Sequence, residues 1–209
     1  MDRVTRVIAG AAGGRRLIVP SGRDTRPTSD RAREGLFATV HALLGSLDGL
    51  RAADLFAGSG AVGLEALSRG AGHALLVEAH PRAARVIRAN IDALGLPGAQ
   101  LIVDRVERVL RRPPAEPYDL VFADPPYATA DAAVAAMLTA LREGGWLSTG
   151  ALVVVERATR GPALAWPPGY VADRERRYGE GTLWYARRAS RRDSDSPWRD
   201  LDPGPSPRS

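Results

Sequence analysis

The sequence predicts an α/β fold: a mostly parallel sheet covered by helices on both faces, with an antiparallel hairpin at one edge. From residue 52 onward, short apolar runs rich in Val and Leu alternate with stretches of helical period. That alternation is the mark of strand–helix units whose strands are buried on both sides. Proline and glycine punctuate the helical stretches at their starts and ends. The last regular stretch, "YVADRERRYGEGTLWYARR", reads as a closing hairpin.

The first 28 residues are rich in Gly and Arg and hold short β-like pieces such as residues 16–20. Eight arginines face four acids within residues 1–35, a local excess of positive charge in a segment that is no single regular element. A helix follows. Thr28 or Ser29 caps it, Asp30 and Glu34 favour its first turns, and Leu36, Phe37, Val40, Leu43 and Leu44 form its apolar face. Then "AADLFA" is a strand, "AVGLEALSRG" a helix stopped by Gly70, and "HALLVEA" a strand. "PRAARVIRANIDALG" is a helix opened by proline and closed by glycine. "AQLIV", "RVERVL" and "YDLVFAD" make a strand, a short helix and a strand; "DAAVAAMLTALREGG" and "ALVVVER" make a helix and a strand. Past Arg188 the chain turns polar and proline-rich, and is read as a disordered tail over 189–209. The expected division is an extension over 1–28, one domain over 29–188, and the tail.

With 209 residues, 44% of them hydrophobic, the chain can bury a sizeable core in one domain. It has no cysteine, which excludes disulfides and thiolate metal sites. No apolar run reaches the length of a membrane span or a signal peptide, so a soluble cytoplasmic protein is expected. The net charge is +5, and all 29 basic residues are arginine. Arginine's planar fork suits phosphates and stacked bases, although the same bias can be compositional.

Three short stretches carry candidate chemistry. "DLFAGSGAVGLEA" follows the first strand of the alternation and opens a helix, and Gly58, Gly60 and Gly63 satisfy GxGxxG. Glycines let a ligand approach the backbone, and the helix start offers free N–H groups; a plain tight turn would look the same. Glu78 ends the next strand, 24 residues after Asp54, where an acid can accept the two ribose hydroxyls of an adenosine ligand. NAD and S-adenosylmethionine both fit so far. Asp54, just before the glycine loop, separates them: a carboxylate suits a cationic amino-acid tail better than a pyrophosphate.

The third stretch is "YDLVFADPPYA". Adjacent strands of a doubly wound sheet share one crevice at their carboxyl ends, which brings Asp124 near the glycine loop. Pro125 and Pro126 hold the backbone extended, so a carbonyl can point into the crevice, and Tyr127 offers a ring for a flat base. Acid, carbonyl and aromatic together form a cradle for the exocyclic amine of a nucleobase. His41, His73 and His80 show no ligand spacing, and Arg174 to Arg177 read as a solvated loop.

In this order, "GGRRLIVP", "TRPTSDRAREGLF", "LFAGSGAVGLEALSRGA" and "VFADPPY" resemble the RsmD family over about residues 6–187. Its members are bacterial methyltransferases of a guanine N2 in small-subunit (16S) ribosomal RNA. The resemblance implies the Rossmann-like class I fold of S-adenosyl-L-methionine-dependent methyltransferases, a monomer, and no metal. It implies that Asp54, Phe56, Gly58, Ser59 and Gly60 line the methionine end of S-adenosyl-L-methionine, Glu78 the ribose, and Asp104 the adenine amine. Thr28, Asp30, Arg31 and Glu34 would add polar contacts from the block over the cofactor's far side. Asp124, Pro125, Pro126 and Tyr127 would hold the target base. Arg15, Arg16, Arg26 and Arg33 would touch 16S rRNA or the assembling small ribosomal subunit. "LIVDRVERVL" departs from the family in lacking the Asp-Ala or Asn-Ala pair often found there. "DPPY" is also shared with adenine N6 methyltransferases, so adenine remains an alternative acceptor. An NAD-dependent oxidoreductase and a non-catalytic RNA-binding module stay open as other classes; both leave the DPPY cradle unexplained.

Overall fold

The apolar runs become the strands of one sheet. The computed structural model describes residues 4–20 and 29–190; Thr28, Arg26 and the tail beyond Ser190 lie outside them. In chain order the elements are β1 (Val4–Arg6), β2 (Arg16–Ile18), α1 (Asp30–Leu44), β3 (Arg51–Leu55), α2 (Ala61–Ser68), β4 (His73–Val77) and α3 (Pro81–Leu94). They continue with β5 (Ala99–Ile102), α4 (Val106–Val109), β6 (Tyr118–Ala123), α5 (Asp131–Glu143), β7 (Leu147–Ala158), β8 (Tyr170–Tyr178) and β9 (Gly181–Arg188). Among the described residues the main sheet has the order β5-β4-β3-β6-β7-β9-β8. Its first five strands are parallel, and β9 and β8 close it as an antiparallel edge hairpin.

Period-two alternation sends side chains to both faces of this sheet. Leu120 and Phe122 of β6, with Leu152 and Val154 of β7, pack toward α1, α2 and α3. Val121, Ala123, Val153 and Val155 pack toward α4 and α5, with Leu138, Leu141 and Trp146. Each fully buried aliphatic side chain contributes about 1.5–3 kcal/mol, so the double-faced core is what holds the strand tips in place. The helix boundaries follow the local signals. Ser29 caps α1, its Oγ accepting from the Ala32 N–H at 3.1 Å; Pro81 opens α3, and Gly95 at φ 62° closes it.

Two expectations need correction. Arg174 to Arg177 are no loop: they sit in the edge strand β8, paired with β9. Arg33 is not an RNA contact, for it is 0% exposed. On α1 it shares the inward face with Phe37 and Val40, and its guanidinium donates to Thr5 Oγ1 (3.0 Å), the Arg6 carbonyl (2.6 Å) and Asp30 Oδ1 (2.9 Å).

The N-terminal segment is stitched to the domain rather than hanging from it. β1 and β2 pair antiparallel, and Val7, Ala12 and Leu17 join the main core. The buried Glu65 of α2 accepts from the Ile8 N–H (2.7 Å) and the Ala9 N–H (3.0 Å), and pairs with Arg69 at 2.7 Å. Ser68 Oγ donates to the Ala9 carbonyl and accepts from the Ala12 N–H. Glu65→Ala leaves two backbone donors and a cation without their acceptor. It is expected to lower the unfolding free energy by about 3 kcal/mol, read by denaturant titration.

Candidate active site

Register brings three carboxylates to one edge of the sheet, Asp54 within β3 and Glu78 and Asp124 just beyond its neighbours. Leu55 of β3 is paired with Val77 of β4 and with Ala123 of β6. Glu78 and Asp124 therefore follow the carboxyl ends of the two strands that flank β3. Here the chain order reverses, with β4 on one side of β3 and β6 on the other, the position at which open α/β sheets form a ligand crevice.

The glycine loop fills the end of β3. Phe56 has φ 65°, the one non-glycine positive φ among the described residues. Such backbone is strained by about 1–2 kcal/mol in an L-residue. Gly58 (φ 57°) and Gly60 (φ 78°) carry the same hand without that strain and turn the chain into α2. Glu78 fixes the loop: its Oε2 accepts from the Gly58 N–H at 2.9 Å, while Oε1 accepts from the His80 N–H at 2.7 Å. Asp54, 2% exposed, accepts from the Gly63 N–H at 2.9 Å. Burial pushes its carboxyl up to about 7, against the pull of that hydrogen bond, with Glu78 adding to the rise.

Two cavities meet at this edge. The first, about 710 Å³, is lined by Asp54, Phe56, Gly58, Ser59, Glu78 and Asp124, among others. The second, about 680 Å³, is lined by Arg31, Asp124, Pro125, Pro126, Tyr127 and Glu156, with Arg177 at β8. Asp124 and Pro126 border both. The Asp124 carboxyl is held well above the usual range, first by burial and then by Glu156 and Asp54. Tyr127 is 44% exposed. The loop after it is anchored by Arg157, which donates to the Thr129 carbonyl (2.8 Å) and Asp131 Oδ1 (2.9 Å).

Other residues singled out in the sequence lie elsewhere. Gly60 caps α2 without lining either cavity. Asp104 accepts from the Arg105 N–H and pairs with Arg108 at 3.7 Å; Arg105 and Arg108 line the first cavity in its stead. Asp30 turns to Thr5, Arg6 and Arg33, and Glu34 is exposed outside both cavities. Arg31 faces the second cavity rather than the first. Arg15 donates to the Leu94 carbonyl at 2.8 Å and to that of Ala93, at the end of α3. Arg16 is exposed on β2.

Several contributors carry no sequence motif. Asn90, buried on α3, donates to the Ser59 and Ile18 carbonyls (2.9 Å each) and accepts from the Ile18 N–H (2.8 Å). It ties β2 to the glycine loop and brings Val19 and Pro20 to the wall of the first cavity. Glu156 did have a signal: like Glu78 and Asp124, it is an acid directly after an apolar run.

A family model described as conserved hypothetical protein 95 matches residues 5–187. The ribosomal RNA small subunit methyltransferase D of Escherichia coli K12 is 32% identical over 191 residues, 91% of this chain and 93% of that protein. The chain belongs to the RsmD family. A second member, the ribosomal RNA small subunit methyltransferase D of Haemophilus influenzae, is 35% identical over 162 residues, 76% of this chain and 81% of that protein. The solved structure of the Escherichia coli protein yhhF matches with a TM-score of 0.77 at 31% identity, covering 89% of this chain and 98% of that one. The RsmD-family chain thus has the class I methyltransferase fold. Magnesium protoporphyrin IX methyltransferase from Synechocystis, solved with S-adenosylmethionine bound, shares that fold at a TM-score of 0.58 and 14% identity.

Proposed function

We propose that this chain moves a methyl group from S-adenosylmethionine to the exocyclic N2 of a guanine in small-subunit ribosomal RNA. The observation that carries the reading is Asp124 on the wall of both cavities, so that donor and acceptor can meet at one carboxyl. The names of the relatives supply the substrate class. Guanine N2 rests on the resemblance of the N-terminal block.

The first cavity fits the cofactor. Its volume of about 710 Å³ lies within the range of small-ligand sites. The left-handed loop at Phe56 and Gly58 opens the backbone to a close ligand, Glu78 suits ribose hydroxyls, and Asp54 suits a cationic amino-acid end. When bound, S-adenosylmethionine supplies an electrophilic methyl. The chain's own residues handle the acceptor, whose amine lone pair is delocalised into the ring. The Asp124 carboxylate and the Pro125 carbonyl accept from the amine N–H groups and orient its lone pair. Asp124 or water takes the proton once the nitrogen has become cationic. Tyr127 offers its ring to the base, flipped out of its stack. Arg31 and Arg177 at the second cavity supply positive charge for the RNA backbone.

The test maps modified nucleosides in small-subunit RNA from cells with and without the gene. Loss of a single N2-methylguanosine is expected. Loss of N6-methyladenosine would move the reading to adenine, and an unchanged map would end it.

A further inference from the structure

We propose that Glu156 selects guanine over adenine, by accepting a hydrogen bond from guanine N1–H next to the amine held at Asp124. This rests on the guanine N2 reading above.

Asp124 lies just past the end of β6, and Glu156 lies within β7, paired with Leu183 of β9. Ala123 and Val155 are paired in register on these neighbouring parallel strands, so the two acids that come next lie at one level. That sets their backbones about 5 Å apart. Both line the second cavity, and only Asp124 also reaches the first. Their carboxyl groups are close enough that Glu156 is the leading charged influence on Asp124. Gly181 of β9 keeps the space above Glu156 open. A methyl group there would lie 2.4 Å from Glu156 Oε1 and 3.3 Å from the Tyr127 hydroxyl. The carboxylate and the tyrosine therefore converge on one spot beside the Asp124 tip.

The chemistry of the bases gives this pair a discriminating use. Guanine presents N1–H and the N2 amine in a row, all donors. Two neighbouring acceptor groups match that edge. Adenine presents a donor amine next to N1, whose lone pair would face the Glu156 carboxylate. Cytosine, with an amine next to an unprotonated N3, is disfavoured in the same way. A hydrogen bond to a charged acceptor separates a matched from an unmatched base by about ten- to hundredfold.

The probe is 2-aminopurine, which keeps the reacting amine at C2 and has no N1–H. Small subunits are reconstituted from RNA carrying guanine or 2-aminopurine at the nucleotide mapped above, and methyl incorporation is followed at both. The wild-type protein is expected to favour guanine by about ten- to hundredfold. Glu156→Gln, whose amide can accept from N1–H or donate to a bare N1, is expected to bring that ratio within about threefold. Retained S-adenosylmethionine binding by calorimetry reports that the variant is folded. Should it not fold, Gly181→Ala pushes the carboxylate aside at unchanged charge and is expected to lower the ratio as well. A wild type that methylates both bases alike, or a ratio unmoved in the folded variants, overturns the role of Glu156 and leaves guanine N2 as the acceptor. A wild type that methylates neither particle strikes the guanine reading, and the assignment falls with it.

Discussion

Asp124→Ala is expected to lower methyl transfer by roughly two to four decades, the loss typical of a positioned polar catalyst. Cofactor affinity is expected to stay within about threefold, because the cavity wall at Phe56, Gly58 and Glu78 does not depend on that side chain. The backbone tie from the Asp124 N–H to the Leu55 carbonyl also survives the substitution. Stability should not fall, since burial beside Glu156 and Asp54 already disfavours the charged carboxyl. Transfer is read as labelled methyl incorporated into small-subunit RNA, and binding by calorimetry. A variant that transfers at the wild-type rate would remove Asp124 from the chemistry; one that loses only cofactor affinity would make it a donor-side residue. The pH dependence is signed. Accepting the amine's hydrogen bonds requires the ionised carboxyl, and its pKa is raised, so the rate should climb with pH only above the usual carboxylate range. Glu156→Gln removes the leading neighbouring charge and should move that climb toward acid.

How far the sequence reveals this site depends on what kind of signal each residue leaves. An acid directly after an apolar run marks a strand tip, and Glu78 and Asp124 are legible for that reason; Asp54 is legible from its place just before the glycine loop. Glu156 leaves the same mark, but "VVVER" has no glycine or proline beside it, so it read as the end of an ordinary strand. Charge alone was misleading at Arg33. Its spacing from Phe37 and Val40 puts it on the inward face of α1, where a partner such as Asp30 becomes obligatory. Asn90 could not be found at all, because its partners Ile18 and Ser59 lie 72 and 31 residues away and no local pattern records such a bond. Arg177 faces the second cavity through the register of the edge hairpin, which a run of charges does not specify.

The largest effect on stability is expected at Asp54. Its carboxyl is pushed from 3.8 up to about 7 in the folded chain. In the unfolded chain it ionises first, so folding takes up a proton between those two values. Stability from this group is therefore full below the lower value, falls as pH rises through the window, and levels off above the upper one. A shift of that size corresponds to at most about 4 kcal/mol. Asp54→Asn keeps an oxygen to accept from the Gly63 N–H and removes the ionisation. At pH 8 the variant should unfold at higher denaturant concentration than the wild type, and at acid pH the two should converge. Asp124 titrates in the same sense, so only the difference between variant and wild type isolates Asp54. Equal stability at both pH values would mean that Asp54 is solvated. A ligand with a cationic end favours the ionised carboxylate, so cofactor affinity should rise by up to about tenfold per pH unit on the way to neutrality and flatten above it. In Asp54→Asn that slope should vanish while affinity drops. Under the proposed function, the charge that weakens the fold above neutral pH is the one that the ligand's ammonium group would relieve.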